Sequence, residues 1–425
     1  MLSPLSTIQK QFYINNMMYP KDTSYNIPLV YKVNGTLNPL ILENAVNTII
    51  GKYDILRSSF KRNGKQLNRL THDAETSEIK VEQVLLSTDF IDTNTTEIEE
   101  AIHKPFNLEE WPLLRVKLFV YKNEVSVLTF TFHHIIIDLH SYHIFAGELS
   151  QHYNDYIKHT PVNSGKSNGN YTNFVDWESK WINSNDAAKM FDFWRHQLDA
   201  RNCLLKLPTD FKRPSKQSKQ GKRIYFALDE KRTSDVKHLA KSNGVASFSV
   251  LLAGYALLCH QLSGQELIVI GVPLSNRRLA NNKSIIGPLI NILPIVIDFS
   301  SSKKSRVLIR DVRMALLKAH RNQEMPFLHL VNHLDIKKSF AYNPVFQVGF
   351  ANEPRIALSF SGVSTEPLII ERKGAQLDLF YTFWEDDKKI HGYLEYSSDL
   401  FTEATIIKWI VKFKNVVKSL CENHC

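Results

Sequence analysis

Two imidazoles and a carboxylate crowd into six residues, His133-His134-Ile135-Ile136-Ile137-Asp138, at the end of an apolar run. Imidazole moves protons near neutral pH, and a nearby carboxylate can orient it or brace the backbone that holds it, so the group could serve general acid–base chemistry. The approach, Val125 to Phe132, is rich in β-branched and aromatic residues and alternates, which predicts a strand. Neighbouring strand residues face opposite ways, so His133 and His134 cannot both enter one cavity. In a continuous strand His134 and Asp138 would share a face yet lie roughly 13 Å apart at about 3.3 Å per residue. Either the chain bends or the two do different work. A bend after Ile137 is the favoured expectation, with one histidine as the chemical group and Asp138 bracing the loop.

Other chemistries fit less well. The opposite-facing histidines do not converge on one ion, and neither a cysteine nor a second His-x-x-x-His lies nearby, so no metal is expected here. No Gly-rich strand-to-helix turn offers a phosphate cradle. The tail Cys421-Glu422-Asn423-His424-Cys425 reads as a frayed terminus rather than half a metal site.

The elements that must position these groups follow from pattern. Asn38-Pro39 ahead of Ile41, Leu42, Ala45, Val46, Ile49 and Ile50 predicts a capped amphipathic helix, leading into a strand start at Tyr53–Phe60. Leu114, Val116, Leu118 and Val120 alternate with charged residues in a strand expected to pair with the one carrying the histidines. Helical spacing returns at Tyr142–Ile157. The polar, Gly- and Ser-containing stretch from Thr160 to Asn170 then reads as a linker. Two lobes, 1–170 and 171–425, suit a chain of 425 residues, which is long for one core.

In the second half, Trp177 to Trp194 is an aromatic-rich helical stretch, and Val245–Leu262 is a helix apolar on nearly every side, closed by Gly264. Leu267–Pro273 and Ile292–Ile297 read as short buried strands, Pro294 placing the latter at an edge or bulge. Thr402 can cap a final helix burying Ile406, Ile407, Ile410, Phe413, Val417 and Leu420. The mixture predicts an α/β layered fold.

Apolar residues make up 43% and charged residues 22%, the balance of an ordinary soluble globular protein. No secretory signal or bilayer-spanning run is visible, and four scattered cysteines form no disulfide framework, which predicts a reduced, cytoplasmic protein without a membrane partner. The net charge of +9 favours acidic partners. Its densest segment, Lys206–Arg223, is rich in Pro, Ser and Gln and reads as a solvated crossing loop, with docking of an acidic protein as the sharper alternative. No nucleic-acid module accompanies it, so nucleic acid is not an expected partner.

Taken in order, the segments resemble a condensation domain of nonribosomal peptide synthetases, over nearly the whole chain. Leu5–Tyr13 resembles the family's opening stretch of Ser, Gln and an aromatic, and Tyr53–Phe60 its Arg-His-Glu-x-Leu-Arg-Thr-x-Phe segment, keeping Arg57. Phe132–Asp138 with Ser141 resembles His-His-x-x-x-Asp-Gly-x-Ser, and Tyr171–Trp177 the aromatic stretch after it. Gly271-Val272-Pro273, Asn276-Arg277, Ile286–Asn291, His320–Phe327, Tyr342–Gln347 and Glu395–Phe401 continue the series in order.

The resemblance implies two chloramphenicol acetyltransferase-like lobes in a V-shaped pseudo-dimer with a tunnel at the junction. It implies that an acyl or peptidyl thioester, delivered on the phosphopantetheine of a carrier protein, is joined to an amine or alcohol acceptor, with no cofactor bound to the chain itself. His134 would be the catalytic group, as base, positioning group or donor to the tetrahedral intermediate. His133, Asp138, Arg277 and Arg57 would support the motif, Asp138 pairing with Arg277 across the lobes. Leu139, Ser141, Asn291 and Trp384 would lie on the tunnel or acceptor side.

Leu139 stands where the family has Gly, adding bulk that argues against an ordinary carrier-bound amino acid as acceptor. Lys52-Tyr53-Asp54 replaces Arg-His-Glu. Without an adenylation domain or a carrier serine in the chain, a stand-alone enzyme or an excised domain is expected. An acyltransferase using coenzyme A or a free alcohol is the first alternative, although Asp378–Trp384 lacks the glycines of Asp-Phe-Gly-Trp-Gly. A non-catalytic docking domain is the second.

Overall fold

The computed structural model describes residues 2–90, 96–123, 125–162, 170–198, 204–279, 282–301, 304–336 and 338–422. Most of the expected linker, with Cys203 and Cys425, lies outside them. In chain order the elements are β1 (Leu2–Pro4), α1 (Thr7–Met18), β2 (Asn26–Asn34), α2 (Pro39–Lys52), β3 (Ser58–Asn63), β4 (Gln66–Thr71), β5 (Val81–Leu85), α3 (Thr96–His103), β6 (Leu114–Val120), β7 (Val125–His133), α4 (Leu139–Ile157) and α5 (Tyr171–Trp181). There follow α6 (Asn185–Leu198), β8 (Gly221–Ala227), α7 (Glu230–Ser242), α8 (Ser247–Ser263), β9 (Leu267–Leu274), β10 (Asn291–Asp298), α9 (Ser305–Arg321), α10 (Phe327–His333), β11 (Val348–Asn352), β12 (Ser364–Pro367), β13 (Leu379–Glu385), β14 (Ile390–Ser397) and α11 (Glu403–Glu422).

Two compact units result, neither continuous in sequence. The first holds Met1–Asn183, Ser275–Ile290 and Arg355–Glu371; the second holds Ser184–Leu274, Asn291–Pro354 and Arg372–Cys425. A single cut after residue 170 therefore does not reproduce them: α5 and two later segments pack with the first unit.

In the first unit a five-stranded sheet runs β12-β2-β7-β6-β5, beside a small sheet β1-β4-β3. β7 is central, antiparallel to β2 and β6, and His133 registers with Asn26. Its alternation feeds two cores: Leu128, Phe130 and Phe132 pack with α2 and α4 residues such as Val46, Ile49 and Phe145, whereas Val127 packs with Ile98 and Ile102 of α3. Burying each such side chain contributes roughly 1.5–3 kcal/mol. With both faces covered, the strand carrying the histidines is held rigidly up to its last residue.

Asn38 caps α2 as expected, its side chain accepting from the Leu40 and Ile41 amides, with Pro39 at the first turn. The expected strand start at Tyr53 is instead a 3-10 turn at Asp54–Arg57, and the strand begins at Ser58. Arg57 donates to the carbonyls of Ile50 and Gly51, satisfying the C-terminus of α2 and so bending the chain locally.

The second unit is built on a six-stranded sheet, β10-β9-β11-β13-β14-β8. β11 is parallel to β9 and β13; the other pairs are antiparallel. Pro294 sits in β10, an edge strand, where a missing N–H is tolerated. Helix α8 packs against α7, α9 and α11, which is why its sequence is apolar all round, and Gly264 ends it at φ 69°. In α11, capped by Thr402, five of the six expected core residues are buried, but Ile407 points outward at 47% exposure. No single helix among the described residues is long and apolar enough to cross a membrane.

Candidate active site

β7 ends at His133, and residues 134–136 form a turn. The bend thus comes four residues earlier than expected, after His133 rather than Ile137. Its cause is local: His133 Nδ1 accepts the Ile135 amide at 3.1 Å and its carbonyl accepts the Ile136 amide at 3.1 Å. His133 is 2% exposed, and burial, reinforced by His134 and Arg115, pushes its pKa down to about 3. It is a neutral, structural imidazole.

His134 is half-buried. Its Nδ1 lies 2.8 Å from the Ile137 carbonyl oxygen. A carbonyl only accepts, so Nδ1 carries the proton and, in the neutral ring, Nε2 carries the lone pair. The backbone N–H of His134 donates to the Tyr25 carbonyl at 2.9 Å, and the Phe12 ring stacks on the imidazole with centroids 4.9 Å apart and planes at 28°. One histidine is thereby fixed in tautomer and orientation as a proton acceptor at Nε2.

Asp138 closes the turn by capping α4, accepting from the Ser141 amide at 2.8 Å. Its oxygens take a bidentate pair from Arg277, Nη1 to Oδ2 at 2.7 Å and Nη2 to Oδ1 at 3.1 Å, and further bonds from the Leu289 and Ile290 amides at 3.0 and 3.2 Å. Burial raises the carboxyl's pKa, but the Arg277 charge and the bonds from Arg277 and Ser141 outweigh it and hold the group below its ordinary value. Every partner belongs to the first unit, so the pair with Arg277 does not bridge the lobes as expected: the 275–290 segment packs with the first unit. Asp138 braces the loop, as its spacing from His134 suggested.

Ser141, expected on the acceptor side, lies inside this brace: fully buried, its hydroxyl donates to Asp138 at 2.7 Å and accepts from Arg277 at 2.8 Å and the Gly287 amide at 3.0 Å. Leu139 is the first residue of α4 and partly exposed. Its φ is not positive, so the position usually held by Gly asks nothing of the backbone that Leu cannot meet. Arg57 serves α2 rather than the histidine loop.

Asn291 and Trp384 belong to the second unit. Asn291 ties the carbonyls of Gln323 and Met325 to the Phe327 amide, at 2.9, 2.6 and 3.0 Å, anchoring the start of α10. This leaves it a structural role. Trp384 stacks on His391 at 5.4 Å.

The sequence reading missed Gln9 and Phe12 as parts of the site. Ser6-x-x-Gln9 is a capping box, a signal visible in sequence, yet Gln9 Nε2 also donates to the Ile135 carbonyl at 3.1 Å. It missed Tyr171 as well, which donates to the Pro288 carbonyl at 3.0 Å and pairs with Ser6 Oγ at 2.8 Å. Among the described residues no group of three or more His, Cys, Asp or Glu could hold a metal ion. The assembly is a braced turn that carries an imidazole with its proton on Nδ1.

Comparison with known proteins agrees in sequence and in fold. The family model "Condensation domain" matches residues 2–424. Malpinin synthetase of Mortierella alpina is 31% identical over 406 residues, covering 95% of this chain and 5% of its own length. Bacitracin synthase 3 of Bacillus licheniformis is 29% identical over 419 residues, covering 98% and 6%. The chain therefore spans only a small part of these curated relatives. Among solved structures, the X-domain from teicoplanin biosynthesis superposes with TM-score 0.86 at 21% identity, covering 99% of this chain and 95% of that one. The first condensation domain of the calcium-dependent antibiotic synthetase, in complex with a substrate analogue, does so with TM-score 0.84 at 17% identity, covering 100% and 98%. The chain belongs to the condensation-domain family and has its two-lobed, chloramphenicol acetyltransferase-like α/β fold.

Proposed function

We propose that the chain is a condensing acyltransferase. It moves an acyl or peptidyl group from a thioester on the phosphopantetheine of a carrier protein to an amine or alcohol acceptor. Membership of the condensation-domain family, and similarity along the chain to a malpinin synthetase and a bacitracin synthase, support this reading. The observation that carries it is the His134 Nδ1–H bond to the Ile137 carbonyl, which places the lone pair on Nε2.

Nε2 takes the acceptor's proton, from an alcohol O–H as the new C–O bond forms and from an amine once the new C–N bond has formed at the thioester carbonyl. When the tetrahedral intermediate collapses, the C–S bond breaks and the departing thiolate takes that proton from Nε2. His133, neutral and buried, and Asp138, paired to Arg277, contribute no proton; they fix the turn. The Leu139 side chain narrows the acceptor choice, favouring acceptors other than an ordinary carrier-bound amino acid.

The test is an intact-mass assay with an acyl-loaded carrier protein and acyl-coenzyme A as donors, and free amines, alcohols and carrier-bound acceptors, comparing wild type with His134→Ala. Transfer from the carrier that is lost in the variant is the expected result. Transfer only from acyl-coenzyme A moves the assignment to the free-thioester branch of the superfamily. No transfer from any donor, with carrier binding retained, replaces catalysis by docking.

A further inference from the structure

Two residues on one helix hold the turn that carries His134, at two different points. Helix α1 opens with a reciprocal cap: Ser6 Oγ accepts the Gln9 amide and Gln9 Oε1 accepts the Ser6 amide, both at 3.2 Å. This locks the Gln9 side chain and directs its Nε2 onto the Ile135 carbonyl at 3.1 Å. Three residues on, hence on the same helix face, Phe12 lays its ring on the His134 imidazole at 4.9 Å. Gln9 is 0% and Phe12 4% exposed, so both are themselves immobilised. The other side of the grip is Tyr25, whose ring meets Phe12 edge-on at 4.9 Å and whose carbonyl holds the His134 amide.

The imidazole has two side-chain torsions, and the Ile137 bond alone leaves the ring a hinge about Nδ1. A stacked aromatic plane removes that freedom. We infer that Phe12 is a positioning residue for His134, keeping the ring in the plane where Nδ1 meets Ile137, and that Gln9 holds the backbone half of the same clamp. Neither touches the reacting atoms. This inference rests on the acyl-transfer reading for its kinetic consequence but not for its structural one.

Phe12→Leu keeps an apolar side chain and removes the stacking plane; Phe12→Tyr keeps the plane. In Phe12→Leu, kcat for acyl transfer should fall by about 10²-fold, the cost of a misplaced catalytic group, with KM within a few fold. Phe12→Tyr should restore most of it. Independently of turnover, nitrogen-15 shifts of the His134 ring report which nitrogen is protonated. Wild type and Phe12→Tyr should show Nδ1–H, and Phe12→Leu, measured below its Tm, a mixture of tautomers.

Gln9→Met, which loses the Ile135 bond together with the capping bond from the Ser6 amide, should lower kcat in the same direction, and it carries the test if Phe12→Leu unfolds. Wild-type kcat together with an unmixed Nδ1–H signal in Phe12→Leu overturns the inference. If the wild type transfers no acyl group, the acyl-transfer reading falls while the ring shifts still decide the role of Phe12.

Discussion

Arg277 and Asp138 form a bidentate ion pair at 2.7 and 3.1 Å, with both side chains 3% exposed, and they are 139 residues apart in sequence. A buried pair of this kind is weak evidence for net stability, because desolvation offsets much of the attraction, but breaking it leaves one charge uncompensated. Arg277→Ala should therefore destabilise the protein by about 3–5 kcal/mol. Arg277→Lys should recover only part, since an ammonium cannot reproduce two parallel bonds. Chemical denaturation of the two variants checks the order.

The same pair sets an acid limit. The folded Asp138 pKa lies below the ordinary carboxylate value, so its stabilisation is complete above the unfolded pKa of about 3.9 and is lost as pH falls through the folded value. His133 acts in a higher window. The unfolded imidazole takes a proton below about 6.5 whereas the folded one resists until about 3, so stability should decline between those values by up to about 1.4 kcal/mol per pH unit. In unfolding titrations from pH 7 to 4, His133→Gln should flatten the slope. An unchanged slope would remove His133 from the account.

The sequence-readable part of the site was the part made of neighbours in the chain. Alternation identified β7, and the spacing of His134 and Asp138 favoured a bend. The place of the bend was not legible, because His133 closes it with a ring nitrogen rather than with a turn residue such as Gly or Asn. Nor was the membership of Ser275–Ile290 in the first unit: the resemblance paired Arg277 with Asp138 but across the lobes, and only the packing of the segment puts both in one unit. Ser141 was placed on the acceptor side by the resemblance alone, whereas its hydroxyl lies in the Asp138–Arg277 network. Ile407 was assigned inward because one extra apolar residue widens a helical stripe without changing its period.

Gly287 offers a sharper test of long-range packing. Its φ is 147°, and a Cβ there would fall 2.1 Å from the Tyr171 ring. That contact cannot relax cheaply, as Tyr171 is buried and bonded to Pro288 and Ser6. Gly287→Ala should cost several kcal/mol, well beyond the roughly 1 kcal/mol expected for Gly64→Ala, where φ is 60° and no atom lies within 4 Å of the added carbon. Equal losses in thermal unfolding would show that the 287–290 segment can move away from α5.

Within the basic segment 206–223, the charges are not equivalent. Arg213 binds Asp378, which is 1% exposed, and Arg223 binds Glu395 at 2.7 Å, whereas Lys212 is exposed. Arg213→Glu should therefore damage folding, while Lys212→Glu should change stability by less than about 0.5 kcal/mol. If this loop receives an acidic carrier protein, Lys212→Glu should raise the KM for the carrier at low salt, with the effect shrinking as ionic strength rises. A salt-independent KM equal to wild type would assign the loop a structural role alone.

The dependence on His134 should differ between acceptors. An amine that arrives unprotonated already presents its lone pair and sheds its proton only after the bond to the carbonyl has formed. An alcohol is a poor nucleophile until a base begins to remove its proton, so its transition state draws more on Nε2. General-base assistance contributes roughly 10²–10⁴-fold, and His134→Ala should lose most of that with an alcohol and markedly less with an amine of matched size. Single-turnover rates with paired amine and alcohol acceptors, wild type against variant, measure the difference directly. Equal losses would mean that His134 orients the acceptor or hydrogen-bonds the tetrahedral intermediate, tasks that weigh alike on both nucleophiles.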